Sequence, residues 1–226
     1  MEHLEATPFR ISKSMEDYLK TIYRLTTENN TVSTSVLAKQ MECSAASITN
    51  MLQKLSNLKL VNYERYQGVT LTEAGDKIAL ETIRHHRLIE LYLTEILGYS
   101  WDRVHDEAEE LEHVISEEFE ERIDKALGYP TLDPHGDPIP TKEGKIGHQS
   151  FHSLWDTNSG ENVHVAHVSD GSPEVLRYLG SIGIFPKVKI HVIQKDSPEG
   201  PVRIKIKDSQ HLLGEELARQ IFVLPT

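Results

Sequence analysis

The first third of the chain carries three helical patterns followed by two short alternating ones. Apolar residues recur three and four positions apart in the segments 14–25, 35–41 and 45–58, a spacing that places them on one face of a helix. In 60–66 and 69–72 apolar and polar residues alternate around a Gln-Gly turn, which predicts a β-hairpin. Helix, helix, tight turn, helix and hairpin follow one another as in a winged helix-turn-helix.

The remainder predicts a helical region and then a small β-structured region. Helical patterns cover 73–97 and 101–127, and residues 129–160 form a connector rich in proline and glycine. From Val163 onward, short β-prone runs separated by turn residues predict a barrel-like unit. We therefore expect a mainly α protein with β structure and three domains: a winged helix-turn-helix domain at 1–75, a helical domain with the connector at 76–148, and a small β-barrel domain at 149–226.

The net charge of −11 at first argues against a nucleic-acid partner, because proteins neutralise DNA phosphates with lysine and arginine. The distribution of charge changes that inference. Residues 1–75 contain eight basic and eight acidic side chains, whereas residues 76–128 contain six basic and fifteen acidic ones. The amino-terminal third therefore remains able to bind DNA. The acidic block is either a solvated helix surface or a source of ligands for hard cations.

Cysteine content and hydropathy exclude several classes of protein. Cys43 is the only cysteine, so an intramolecular disulfide and a zinc site of clustered thiolates are both excluded. No apolar run approaches the roughly 20 residues that cross a bilayer. Residues 1–14 lack the apolar core of an export signal. We therefore expect a cytoplasmic protein with no membrane partner.

The segment that begins at the predicted tight turn carries side chains suited to a DNA groove. Small residues let the start of a helix approach the floor of the major groove, where serine and asparagine can hydrogen-bond base edges. Basic residues further along, and on the hairpin, would meet phosphates. The candidate DNA-binding residues are Ser44, Ala46, Ser47, Asn50, Lys54 and Arg65. The alternative is a helical hairpin that only packs.

A second group of polar residues lies at 105–113, His-Asp-Glu-Ala-Glu-Glu-Leu-Glu-His. Positions three and four apart share a helix face, so Glu109, Glu112 and His113 converge, with His105 one turn earlier. Carboxylates and imidazole form a donor set that suits Mn(II), Fe(II) or Zn(II). One helix cannot surround an ion, so further ligands must come from elsewhere, with the candidates Asp17, His85, His86 and Glu90. The alternative is an acidic helix that is merely solvated.

Three strings give the sequence a family resemblance: SMEDYLKTIYRL at 14–25, HHRLIELYL at 85–93 and VHDEAEELEHVIS at 104–116. With the connector string DPHGDPIP they make nearly the whole chain resemble the diphtheria toxin repressor and manganese transport regulator family. The resemblance implies a metal-dependent repressor that binds a palindromic operator in double-stranded DNA as a homodimer. It also implies that 76–148 is the dimerisation domain and that the carboxy-terminal barrel is SH3-like or FeoA-like.

The resemblance further implies metal ligands, position by position. The family's main site falls on Asp17, His86, Glu109, Glu112 and His113. Iron sensors carry Met where this chain has Asp17 and Cys where it has Glu109, so the hard donors here favour Mn(II), with Fe(II) as the alternative. A second site is suggested by Glu90, Asp133, His135 and Asp170, with His105 and Glu174 as additions or replacements. Its alternative is a proline-glycine turn with a solvated histidine.

These ligands suggest that metal binding and DNA binding stabilise each other. An ion bound by Asp17 of the first helix and by Glu112 would fix the DNA-binding domain against the dimer core and set the separation of two recognition helices. One rival is a winged-helix regulator without a metal effector. Another is a di-iron oxidase, against which the absence of a second Glu-x-x-His on a long helix argues. The sequence predicts a regulator and not an enzyme, and leaves open the physiological metal, the operator and the role of the barrel.

Overall fold

The computed structural model describes residues 11–28, 31–147, 150–195 and 200–226. The chain divides into two compact units, one of residues 1–84 with 142–145 and the other of residues 85–141 with 146–226. The predicted domain boundary at 148–149 falls outside the described residues. The division into three domains therefore stays a prediction.

The first unit contains the predicted winged helix. Its elements are α1 (Lys13–Glu28), α2 (Thr34–Gln40), α3 (Ala45–Asn57), β1 (Val61–Glu64) and β2 (Gly68–Leu71), the two strands being antiparallel. Ser33 and Ser44 precede α2 and α3, and each side chain accepts a hydrogen bond from the backbone N–H three residues on, which is a favoured helix start. Leu19, Ile48 and Leu52 are fully buried in the core of this unit.

The next helix, α4 (Glu73–Glu95), follows the hairpin directly. The division between the two units falls within it, between Arg84 and His85. Its start is fixed by Thr72, whose side-chain oxygen accepts a hydrogen bond from the N–H of Gly75 at 3.2 Å. Within the part of the chain that the structure describes, neither α4 nor any other helix combines the length and the apolar character needed to cross a membrane.

The single helix predicted at 101–127 is wrong, because the structure divides it into α5 (Val104–Leu111) and α6 (Glu117–Ala126). Glu112 is the C-cap of α5. Ser116 has an extended backbone, and its hydroxyl accepts a hydrogen bond from the N–H of Phe119 at 3.2 Å. A serine in this conformation begins a new helix, so the backbone turns while the helical spacing of apolar residues continues. Glu112 and His113 consequently lie beyond the end of α5 and not in the middle of a helix.

The carboxy-terminal part of the second unit is a six-stranded antiparallel sheet with the order β3-β8-β4-β5-β6-β7, in agreement with the predicted small β-domain. Its strands are β3 (His152–Ser153), β4 (Asn162–Val168), β5 (Lys189–Lys195), β6 (Val202–Ile206), β7 (Ser209–Leu213) and β8 (Ile221–Pro225). Apolar side chains of β4 to β8 share one core with Leu176 and Leu179. These two residues belong to α7 (Pro173–Ser181), and a short α8 (Glu215–Ala218) precedes β8.

The connector makes a tight turn that lies against β4. Leu132 pairs with Pro138 across this turn, and the carbonyl of His135 accepts a hydrogen bond from the N–H of Val168 at 2.9 Å. Gly136 has a φ of +94°, and a Cβ at this position would lie 2.1 Å from the carbonyl oxygen of Ala166. Only glycine allows both this conformation and this close approach. The connector turn at 132–138 and β4 are therefore packed directly against each other.

Gly75, in the first turn of α4, has no room for a side chain. A Cβ there would lie 2.1 Å from the carbonyl oxygen of Leu60. We expect Gly75→Ala to destabilise the protein by about 1–3 kcal/mol through overpacking, although alanine is the better helix former by about 1 kcal/mol. Urea unfolding followed by circular dichroism measures the change. The control is Gly147→Ala, where no atom lies within 4 Å of the added Cβ. A stabilised Gly75→Ala protein would contradict the clash.

Candidate metal centre

His86 is the centre of a buried group of ligand-type side chains in the second unit. It lies on α4 and is 1% exposed. Its Nδ1 lies 2.5 Å from Glu112 Oε2, and its Nε2 lies 3.0 Å from Glu90 Oε1 and 3.2 Å from His105 Nδ1. One imidazole ring therefore contacts the carboxylate at the end of α5 and the carboxylate one turn further along α4.

Around Glu112 the structure brings together the residues of the second unit that the resemblance assigns to the main site. Ligand atoms of His86, Glu109 and Glu112 lie within 4.8 Å of one another. His113 Nε2 lies 3.1 Å from Glu112 Oε1. The remaining assigned ligand, Asp17, lies on α1 in the first unit, and its role stays a prediction.

The residues predicted for the second site form two overlapping groups instead of one. The first group comprises Glu90, Asp133 and His135, all of them buried. The second comprises His86, Glu90, His105 and Asp170. In the second group His105 Nδ1 lies 3.4 Å from Glu90 Oε1 and 3.8 Å from Asp170 Oδ2. Glu174 belongs to neither group among the described residues.

The connector turn presents His135 to Glu90. His135 Nε2 donates a hydrogen bond to the carbonyl of Trp101 at 2.8 Å, and its Nδ1 faces Glu90 Oε2 at 3.7 Å. Both His135 Nδ1 and Glu90 Oε2 are buried, and neither atom has a hydrogen-bond partner in the part of the chain that the structure describes. Such atoms are uncommon in folded proteins, and a cation between imidazole and carboxylate would satisfy both. The residues present therefore fit a divalent metal ion.

Burial and neighbouring charges shift the pKa values of Glu90 and His135 in opposite directions. Burial raises the pKa of Glu90, but His86, His105 and His135 outweigh it and hold this pKa well below its usual value. Burial lowers the pKa of His135, yet the carboxylates of Glu90 and Asp133 raise it to about 9. Burial and the neighbouring carboxylates raise the pKa of Asp133 to about 7. Protons thus balance clustered negative charge here, a role that a bound cation can take over.

Arg87, which no sequence pattern marks, holds the connector turn against α4. Its guanidinium lies 3.6 Å from Asp133 Oδ2 and 3.4 Å from Asp137 Oδ1, and it donates a hydrogen bond to the carbonyl of Pro138. The only sequence feature that could have pointed to this role of Arg87 is its position directly after two histidines. Its partners lie in the connector, and helical periodicity carries no information about that contact.

The residues predicted to bind DNA lie on α3 and at the hairpin turn of the first unit. All of them are exposed, namely Ser44, Ala46, Ser47, Asn50, Lys54 and Arg65. Ser44 Oγ is engaged in capping α3, 3.2 Å from Ser47 N, whereas Asn50 and Lys54 point their side chains to solvent. Beside Arg65, Tyr66 is 92% exposed. The preceding turn carries the exposed residue Cys43.

Comparison with known proteins matches three family models along the chain. They are the N-terminal DNA binding domain of the iron dependent repressor at 10–69, the metal binding and dimerisation domain of the iron dependent repressor at 72–141, and the FeoA domain at 152–225. The iron-dependent repressor IdeR of Mycobacterium leprae (strain TN) is 31% identical over 222 residues, which cover 92% of this chain and 95% of that protein.

Solved structures resemble the whole chain as well. A manganese-dependent transcriptional repressor in complex with manganese is 38% identical, with a TM-score of 0.85 over 94% of this chain and 100% of its own. The structure of ScaR with bound Cd²⁺ is 32% identical, with a TM-score of 0.79 over 94% of this chain and 99% of its own.

The Arg87 contacts predict a measurable coupling to Asp133. We expect Arg87→Met to destabilise the protein by roughly 3 kcal/mol, because removing one partner of a buried ion pair leaves the other charge uncompensated. Adding Asp133→Asn should recover part of that loss, since no buried carboxylate then remains at 133. Chemical unfolding of the wild type, both single variants and the double variant measures the coupling.

The matched control is Arg122→Met on α6, whose exposed side chain pairs with Glu118. We expect a change of about 0.5 kcal/mol or less there, as for other exposed pairs. A double variant that is no more stable than Arg87→Met would show that Asp133 is not the partner that matters.

Proposed function

The chain belongs to the iron-dependent repressor family of metal-dependent transcriptional regulators, and we propose that it represses transcription as a homodimer on palindromic operator DNA when Mn(II) is bound. A regulator without a metal effector is not favoured, because residues 72–141 match a metal binding and dimerisation domain. The relatives are transcriptional repressors. We accordingly assign no enzymatic activity and place the protein in the cytoplasm, where its DNA partner lies.

The observation that carries the proposal is the convergence of buried carboxylates and imidazoles in the second unit. We assign to the main metal site His86, Glu109, Glu112 and His113, with Asp17 added on the family resemblance alone. We assign to the second site Glu90, Asp133, His135 and Asp170, with His105. The facing atoms Glu90 Oε2 and His135 Nδ1, which lack hydrogen-bond partners among the described residues, support the presence of a cation.

The donor set supports Mn(II) as the signal, with Fe(II) as the alternative. The ligand groups consist of histidine and carboxylate side chains and contain no cysteine in the described part of the chain. Such oxygen and nitrogen donors suit Mn(II), whereas thiolates select softer ions. Similar proteins differ in their metals: one is iron-dependent, one was solved with manganese and one with cadmium. Titration of DNA binding with each metal ion distinguishes Mn(II) from Fe(II) as the signal.

In the proposed mechanism the ion supplies positive charge that offsets the clustered carboxylates. Glu112 and His113 bring the end of α5 to that charge, and Asp133 and His135 bring the connector turn. The exposed side chains of α3 contact the major groove. Metal binding and DNA binding then stabilise each other by the same amount, typically about 1–3 kcal/mol.

The metal dependence of DNA binding tests this proposal. DNA selected from a random pool in the presence of Mn(II) supplies the binding site. We expect Mn(II) to raise the affinity of the full-length protein for that DNA by about 5- to 150-fold over its affinity in chelator. Fluorescence anisotropy measures the affinities, with Fe(II) and Zn(II) compared under anaerobic conditions.

Two variants on or next to α5 separate ligand loss from charge loss. Glu112→Gln should lose most of the gain with Mn(II), because a buried carboxylate of the main site is removed. Glu107→Gln removes an exposed carboxylate of α5 and should keep the gain. Equal affinity of the wild type in Mn(II) and in chelator would rule the proposed function out.

Two residues of α3 should affect DNA binding in different ways. Lys54→Gln should weaken binding uniformly across sequences and lower the salt dependence by about one ion, as expected for a phosphate contact. Asn50→Ala should relax selectivity at one base position, with a loss of about 1–3 kcal/mol on the preferred sequence. The control is Lys77→Gln on α4, whose side chain pairs with Glu73. Identical sequence preferences for the wild type and Asn50→Ala would show that Asn50 does not contact the bases.

A further inference from the structure

His85 lies next to the metal centre but belongs to none of the groups of ligand atoms found among the described residues. It precedes His86 on α4 and is only 9% exposed. Successive helix residues project about 100° apart, so the two histidine rings reach different partners. A buried imidazole outside the ligand groups needs an explanation of its own.

One partner of His85 is the backbone of Glu112. The last carbonyls of a helix lack an intrahelical N–H partner, and Glu112 is the C-cap of α5. His85 Nδ1 donates a hydrogen bond to the carbonyl of Glu112 at 3.1 Å. His86 Nδ1 meets the side chain of the same residue, 2.5 Å from Oε2. Two neighbouring histidines of α4 therefore hold the main chain and the carboxylate of one proposed ligand.

The other nitrogen of His85 faces α6. His85 Nε2 lies 3.4 Å from Glu120 Oε2. Glu120 is the acidic residue that α6 buries, at 4% exposure, and a buried carboxylate is costly unless it has a charged or hydrogen-bonding neighbour. Glu120 therefore faces the imidazole ring from the side opposite to Glu112.

We infer that His85 is a positioning residue for the metal centre, held in orientation by Glu120, and that it fixes the backbone at Glu112 so that the carboxylate of Glu112 and the adjacent His113 are placed for a metal ion. The inference rests on the proposed function. Residues that orient metal ligands without touching the ion commonly change metal affinity 10- to 100-fold when they are replaced. His85 and Glu120 would thereby connect α6 to the main site.

Direct binding of Mn(II) to the full-length protein, without DNA, tests this inference. We expect His85→Leu, which removes both contacts at similar volume, to weaken Mn(II) binding about 10- to 100-fold and to broaden the electron paramagnetic resonance signal of bound Mn(II). His85→Asn keeps a donor at the position of Nδ1 and should bind within a few-fold of the wild type. Glu120→Gln should weaken binding less than His85→Leu does.

The Glu112→Gln background distinguishes positioning from general damage. In that background the main site is already impaired, so His85→Leu should not weaken the remaining Mn(II) binding further. An equal loss in both backgrounds, or His85→Leu binding Mn(II) as the wild type does, would overturn this inference alone. A wild-type protein without saturable Mn(II) binding would overturn the proposed function and this inference together. Unfolding curves of each variant show whether the fold is retained. If His85→Leu does not fold, the Mn(II) affinities of His85→Asn and Glu120→Gln, each compared with that of the wild type, test the inference instead.

Discussion

Three consecutive residues of α4 with nitrogen-bearing side chains each face a carboxylate on a different part of the second unit. His85 faces Glu120 of α6, His86 faces Glu112 at the end of α5, and Arg87 faces Asp133 of the connector turn. Because neighbouring helix positions project about 100° apart, these contacts point in three directions. A buried carboxylate without a compensating partner is costly, so each contact specifies which element packs on which side of α4. Three of these side chains, His86, Glu112 and Asp133, also belong to the proposed metal sites, so packing and metal binding share residues here.

The sequence predicts much of this because its signals are local. Apolar spacing of three and four positions and a Gln-Gly turn specify the winged helix with nearby residues only. The proposed ligands Glu109, Glu112 and His113 are three and four positions apart, so helical spacing alone suggests that they converge, although α5 ends at Leu111. The candidate ligands on α4 follow from residue type, whereas the family resemblance adds Asp133 and His135 of the connector. The structure places His86 beside Glu112 and His135 beside Glu90.

What the sequence does not predict depends on contacts between distant segments. The break after Leu111 arises from Ser116, whose cap interrupts a helical pattern that reads as continuous. Arg87 and His85 take on their roles only through the connector and α6, which local spacing cannot place beside α4. The sequence also does not predict α7 or β7. The strand β7, Ser-Gln-His-Leu-Leu, lacks alternation and is defined by its pairing with β6.

The exposed cysteine at the turn before α3 provides an attachment point for a spectroscopic label. Cys43 is the sole cysteine of the chain, and it immediately precedes Ser44, the N-cap of α3, the helix proposed to contact DNA. A nitroxide attached there would mark each copy of that helix without any engineered substitution. In a homodimer, dipolar spectroscopy between two such labels gives a length, and its distribution with and without added ion shows whether the metal selects one spacing from a broad range.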